Sequence, residues 1–165
     1  MVDLFGDAVR DWMAGEHAPL VIERDDGYID EQDLDSYFSS FDSFPECEKA
    51  ALGLARGRVL DIGLGPGRVS LHLQGTGLEA VGVDISDNML EVARRRGVRD
   101  AVRMSACDLR FPKGHFQTAV AFGNNFGLCG TPGAVMSMLL RLRDIVSDEG
   151  VFLAEPIGPL AAEKP

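Results

Sequence analysis

The sequence predicts an α/β fold, a doubly wound and mainly parallel sheet in three α/β/α layers, preceded by an acidic N-terminal helical segment. Three observations predict it. Short β-branched and aliphatic runs alternate with amphipathic stretches from Arg58 to Glu155, the pattern of strands joined by crossover helices. Three glycines, Gly63, Gly65 and Gly67, follow the first run at alternate positions, marking a tight strand-to-helix turn. A chain of 165 residues with 45% hydrophobic content can bury one substantial core, so a single domain is expected.

The elements follow in order. Residues 1–44 read as acidic helical segments or a lid, and residues 45–165 as the α/β domain. Arg58 to Ile62 is the first strand, Arg68 to Gln74 a helix and Glu79 to Asp84 the second strand. Ser86 is placed to cap a helix that Gly97 can end. Ala101 to Ser105 makes a third strand and Gln117 to Phe122 a fourth. Thr131 caps the next helix with Pro132 at its first position, and Val135, Met138, Leu139, Leu142, Ile145 and Val146 form its apolar stripe. Val151 to Glu155 is the fifth strand. In such a sheet ligands bind outside the carboxyl ends of the strands, where the glycine turn, Asp84, Asp108 and Asn124 all fall.

The glycine spacing bears on the ligand. A dinucleotide turn has the pattern G-x-G-x-x-G, whereas Arg68 occupies its third glycine position here and the glycines run G-x-G-x-G. Asp84 closes the second strand, and a carboxylate there can accept hydrogen bonds from both ribose hydroxyls. A nucleoside is therefore implied, with no requirement for a phosphate.

Three segments, Val59 to Gly67, Val81 to Leu90 and Ala106 to Leu109, occur in an order and at distances that resemble the class I S-adenosylmethionine-dependent methyltransferases, a Rossmann-like family. The resemblance covers about Pro45 to Glu155. It implies S-adenosylmethionine as cofactor and S-adenosylhomocysteine as product. Gly63, Leu64 and Gly65, followed by Gly67, would lie along the cofactor's methionine part and ribose, with Asp61 orienting the loop. Asp84 would bind the ribose, Ile85 would pack on adenine with Met89 nearby, and Asp108 would accept from the exocyclic amine beside Leu109. Phe122 and Gly123 would approach the methionine end. Tyr28 and Tyr37, from an aromatic N-terminal lid, and Asn124 and Asn125, after the fourth strand, are candidates for substrate contacts. No catalytic base is identified, and surface roles are expected for His17 and His115.

Residues 1–50 hold 14 acidic and 3 basic residues, net −11, while residues 51–165 hold 12 and 13, net +1. Phosphate backbones require clustered Lys and Arg, so nucleic acid is disfavoured and a small-molecule substrate expected. The Arg94-Arg95-Arg96 run is expected to complement a helix dipole in solvent. Cys47, Cys107 and Cys129 are widely spaced, odd in number and free of C-x-x-C, arguing against a disulfide framework or a thiolate zinc site, and for a reducing cytoplasm. No metal is expected. No run approaches the ~20 apolar residues of a membrane span.

The family's sheet continues past its fifth strand, whereas Pro156 and Pro159 interrupt the pattern here. The expectation is a C-terminal truncation, or coverage of the edge at 151–155 by the N-terminal segment, a partner chain or a second copy. The chemistry implied is methyl transfer to a small molecule. A binding module without catalysis, another use of the cofactor such as aminopropyl transfer, and a nicotinamide oxidoreductase stay open as alternatives.

Overall fold

The computed structural model describes residues 2–32 and 34–155. The chain begins with helix α1 (Leu4–Met13), a hairpin of β1 (Leu20–Glu23) and β2 (Ile29–Gln32), the short helix α2 (Asp35–Phe38), a 3-10 turn (Phe41–Ser43) and α3 (Glu46–Leu52). There follow β3 (Arg58–Ile62), α4 (Arg68–Gly75), β4 (Glu79–Asp84), α5 (Asp87–Arg95), β5 (Asp100–Arg103), β6 (Phe116–Ala121), α6 (Pro132–Ile145) and β7 (Val146–Ala154). Strands β5-β4-β3-β6-β7 form one parallel sheet in that order, so the expected doubly wound α/β fold is borne out.

The strand order reverses at β3, whose neighbours are β4 and β6. That switch opens a crevice at the carboxyl ends of the central strands. β3 and β4 are buried along most of their length, as strands covered on both faces must be. One face of the sheet packs Leu60, Ile62, Phe116, Met138 and Ile145, and the other packs Val59, Leu73, Val120 and Phe44. Burying the larger of these side chains contributes about 1.5–3 kcal/mol each. Caps set the helix starts as expected: Ser86 accepts from Met89 N and Thr131 from Ala134 N.

Three local expectations are corrected. The segment of residues 20–32 is a hairpin rather than helix: Asp26-Gly27 make its turn, with Gly27 at φ +83°, and Arg24 N donates to Tyr28 O. Val146 begins β7 instead of ending the helix, and residues 147–150 bulge out because Phe116 pairs with Val146 while Thr118 pairs with Val151. Arg96 is not a solvated end of the basic run. Its guanidinium donates to Pro66 O (2.7 Å), Tyr37 O (3.3 Å) and Phe38 O (3.1 Å) and lies over the Phe38 ring.

The N-terminal segment does not cover the sheet edge. Among the described residues β7 pairs only with β6, while α1 packs Val9 and Trp12 against Met89 and Val92 of α5. Among those residues no helix is long and apolar enough to cross a membrane.

Candidate functional site

A cavity of about 380 Å3 opens at the switch point, within the range for small-ligand sites. Its floor is the β3–α4 turn and the end of β4, one side is the segment after β5, another the segment after β6, and Asp3, Phe5 and Tyr37 close the N-terminal side. Phe5 and Tyr37 meet edge to face, ring centroids 5.3 Å apart. The N-terminal wall is latched, since Ser86 Oγ donates to Asp3 Oδ2 and Asn88 Nδ2 donates to Asp7 Oδ1 (2.9 Å).

The three glycines of the turn serve different ends. Gly67, at φ +87°, begins α4 so close to Val98 and Ala93 that a Cβ would collide. Gly63, at φ +74°, lies under Asn125, whose Nδ2 donates to Ile62 O (3.0 Å) and Gly63 O (2.8 Å). Gly65, at φ +52°, has open space where a Cβ would stand, and so does Gly123 at φ +65°. Both line the cavity, leaving a cradle that side chains would fill. Asp84 ties this turn to the next: Oδ2 accepts from Gly65 N (2.9 Å) and Oδ1 from Ser86 N (3.0 Å). Each carboxylate oxygen retains accepting capacity toward the cavity.

Two buried polar arrangements stand behind this floor. Asp61 is 3% exposed and accepts from Ser70 Oγ at 2.7 Å. Burial pushes its carboxyl up to about 6, with Ser70 and Arg68 opposing. Arg68 opens α4, where the helix dipole disfavours a cation. Glu48 of α3, 2% exposed, compensates through two bonds of 2.6 and 2.7 Å to the guanidinium, which also lies 4.4 Å from the Phe44 ring centroid. Burial pushes the Tyr37 phenol above its ordinary value, with Arg68 opposing.

Of the expected cofactor positions, Asp61, Gly63, Leu64, Gly65, Asp84, Ile85, Met89, Phe122 and Gly123 line this cavity. Gly67 stands behind it as the helix start. Asp108 and Leu109 lie outside the wall: Asp108 is an exposed carboxylate taken by Arg110 Nε (2.9 Å), and Leu109 is 2% exposed in the core. Ser105, Ala106 and Cys107 line that side instead. Tyr37 and Asn125 reach the cavity, with the Asn125 amide spent on the glycine turn. Tyr28 does not: it is 55% exposed on the hairpin under Arg24. Asn124, left-handed at φ +69°, adjoins the cavity without lining it. Sequence reading missed Asp3, Phe5, Ser86 and Arg68. For Arg68 a signal existed, because a cation in the first turn of a helix calls for an anionic partner.

The cysteine reading is corrected at one pair. Cys107 and Cys129 form a disulfide, Cα atoms 5.5 Å apart, while Cys47 is free and exposed. A separation of 22 residues is uninformative alone; the fold brings together the segments that follow β5 and β6.

A family model for a methyltransferase domain matches residues 59–150. The chain belongs to the methyltransferase-domain family. The expected kinship with class I S-adenosylmethionine-dependent methyltransferases is thereby borne out. No curated protein sequence matches the chain. Among solved structures, an S-adenosylmethionine-dependent methyltransferase from Bacteroides fragilis, crystallised with S-adenosyl-L-homocysteine, superposes with a TM-score of 0.82 at 28% identity over 91% of this chain. This methyltransferase-domain chain spans 62% of that protein's length. A Pyrococcus horikoshii protein matches at 25% identity (TM-score 0.62, covering 71% of this chain and 54% of that one). A Thermotoga maritima protein described as a possible histamine N-methyltransferase matches at 26% identity (TM-score 0.54, covering 66% and 48%).

Proposed function

We propose that the cavity binds S-adenosylmethionine and that the protein directs methyl transfer from it to a small-molecule acceptor. One observation carries the reading: Asp84 and Gly65 are joined at the lip of a turn whose Gly65, like Gly123 opposite, leaves a cradle open. The bound cofactor would supply an electrophilic methyl group on a sulfonium. Asp84 would accept from ribose hydroxyls with the lone pairs left free by Gly65 N and Ser86 N. Ile85, 64% exposed at the cavity, offers an apolar face to adenine. Asp3, Asp61 and Asp84 line the cavity against a single Arg68, itself neutralised by Glu48, so the local field favours a cationic ligand. Transfer then depends chiefly on alignment, to which the latched wall of Phe5 and Tyr37 contributes by excluding water and confining the acceptor.

The small-molecule assignment is supported by the enclosed volume and by the acidic N-terminal segment, net −11 over residues 1–50, which repels nucleic acid. On this reading residues 1–44 serve as the cap over residues 45–165, and a second chain or copy takes up the β7 edge.

Calorimetric titration with S-adenosylmethionine and S-adenosylhomocysteine, with NADH as control, tests the cofactor. Micromolar binding of the first two alone is expected; binding of NADH alone would reinstate the oxidoreductase. Methyl transfer to a panel of small amines, phenols and acids tests the acceptor. Cofactor binding without any turnover would favour the non-catalytic module.

A further inference from the structure

We propose that Cys107 and Cys129 form a reversible thiol–disulfide clasp on the rim of the cavity, opened by small dithiols or protein dithiols and closed by small disulfides. In its ligand consequence it rests on the cofactor reading above.

The bridge joins two segments whose inner residues, Ala106 and Leu109 on one and Phe126 on the other, meet in one hydrophobic cluster, while their outer residues, among those described, share no other crosslink. Cys107 follows β5 and lines the cavity, and Cys129 adjoins Leu128, which lines it from the β6 side. Each segment is anchored to its surroundings, the first already at its start, where Met104 N donates to Asp84 O (2.9 Å). Arg141 of α6 donates to Leu109 O (2.7 Å) and Phe111 O (2.8 Å), and Asn125 holds the glycine turn. Between those anchors the backbone bonds are local. Asp108 N donates to Ser105 O on one side; Gly127 N donates to Asn124 O and Gly130 N to Gly127 O on the other. Among the described residues the disulfide is the crosslink that ties the outer parts of the two rims to each other. Cys107, Gly127, Leu128 and Gly130 are exposed and sit in local turns, and such positions open at low cost.

The two sulfurs differ in access. Cys107 is exposed, whereas Cys129 is half-buried with its sulfur beside Met138 Sδ. Exchange proceeds by thiolate attack on a disulfide sulfur. A thiolate of the dithiol attacks Cys107 Sγ; the Sγ–Sγ bond breaks, and Cys129 leaves as a thiolate that takes up a proton. The second thiolate of the reagent attacks its own sulfur in the mixed disulfide and releases Cys107. Two electrons pass to the protein, and the reagent becomes a disulfide. Closure by a small disulfide is the reverse. In a reducing compartment bridges of this kind are usually transient.

Closed, the clasp holds Cys107 and Leu128 in the cavity wall before a ligand arrives. Open, the ligand must order both rims, and affinity falls by the cost of that ordering.

The test uses the full chain carrying Cys47→Ser, which removes the remaining thiol away from the cavity. Thiol counting, hydrogen exchange of residues 104–111 and 123–131, and S-adenosylhomocysteine titration are run with oxidised glutathione and with dithiothreitol. Expected are no free thiols in the first condition and two in the second. Reduction should speed exchange in both segments and weaken binding about fivefold. Cys107→Ser and Cys129→Ser should bind at the reduced level in either condition. Two free thiols under oxidised glutathione, or equal exchange and affinity in both states, would overturn the clasp. Faster exchange on reduction with no binding in either state would uphold the clasp and reject the cofactor assignment instead.

Discussion

The two sides of the cavity are held in contrasting ways. The floor, from β3 and β4, is fixed by buried polar bonds: Asp61 to Ser70, Arg68 to Glu48, Asp84 to two backbone N–H groups, and Gly63 N and Leu64 N to Val83 O. The rim, at Cys107 after β5 and at residues 127–130 beyond Asn125, has one covalent crosslink and local turns. The difference teaches where recognition resides. A floor held by fixed donors and acceptors is preorganised, whereas an exposed rim of local turns opens at low cost.

Substitutions that unsatisfy the floor should therefore cost far more than those on the rim. The largest effect is expected for Glu48→Ala, which leaves the Arg68 guanidinium without its buried partner; urea denaturation should show a loss of about 4 kcal/mol. A loss below about 1 kcal/mol would mean that Arg68 turns to the cavity and solvent.

Asp61 supplies a pH test of the same floor. Its folded carboxyl is raised to about 6 from 3.8, so the native state binds the proton more tightly than the unfolded chain. The resulting stability is complete below pH ~4 and is lost as pH rises through about 6. Asp61→Asn lacks this dependence. The stability of the variant relative to the native protein should rise by about 2 kcal/mol between pH 4 and 7; a flat difference would mean that water reaches Asp61.

Next is Asp84→Ala, which removes the acceptor from Gly65 N and from the proposed ribose. Calorimetry should show S-adenosylhomocysteine affinity weaker by about 2 kcal/mol. Unchanged affinity would remove Asp84 from the site. The smallest pair compares Asn125 with Leu128. Asn125→Ala strips donors from two carbonyls of the glycine turn and should cost about 1–2 kcal/mol in thermal denaturation. Leu128→Ala, at a 52% exposed rim position, should stay within about 0.5 kcal/mol. Equal costs would erase the distinction between floor and rim.

How much of this was legible in the sequence follows the range of the forces involved. β3 and β4 are legible to the residue because burial on both faces leaves a mostly apolar run, broken in β3 only by Asp61, between turn signals. The floor was legible through glycine chemistry, since Gly63, Gly65 and Gly67 all need positive φ. The hairpin was missed although Asp26-Gly27 is a turn signal, because its strands are largely exposed and acidic and lack alternation. The Glu48–Arg68 pair and the Cys107–Cys129 bridge span 20 and 22 residues; only the folded sheet brings them together. Asp108 was placed by family pattern, but the segment after β5 turns its carboxylate to Arg110.

The guanidinium of Arg96 donates from Nη1 to Pro66 O of the glycine turn and Tyr37 O of the N-terminal cap, and from Nη2 to Phe38 O of that cap. The cap and the floor therefore share one fastening. Loss of that one side chain would leave three backbone carbonyls, two on the cap and one on the turn, without their donor at the same moment.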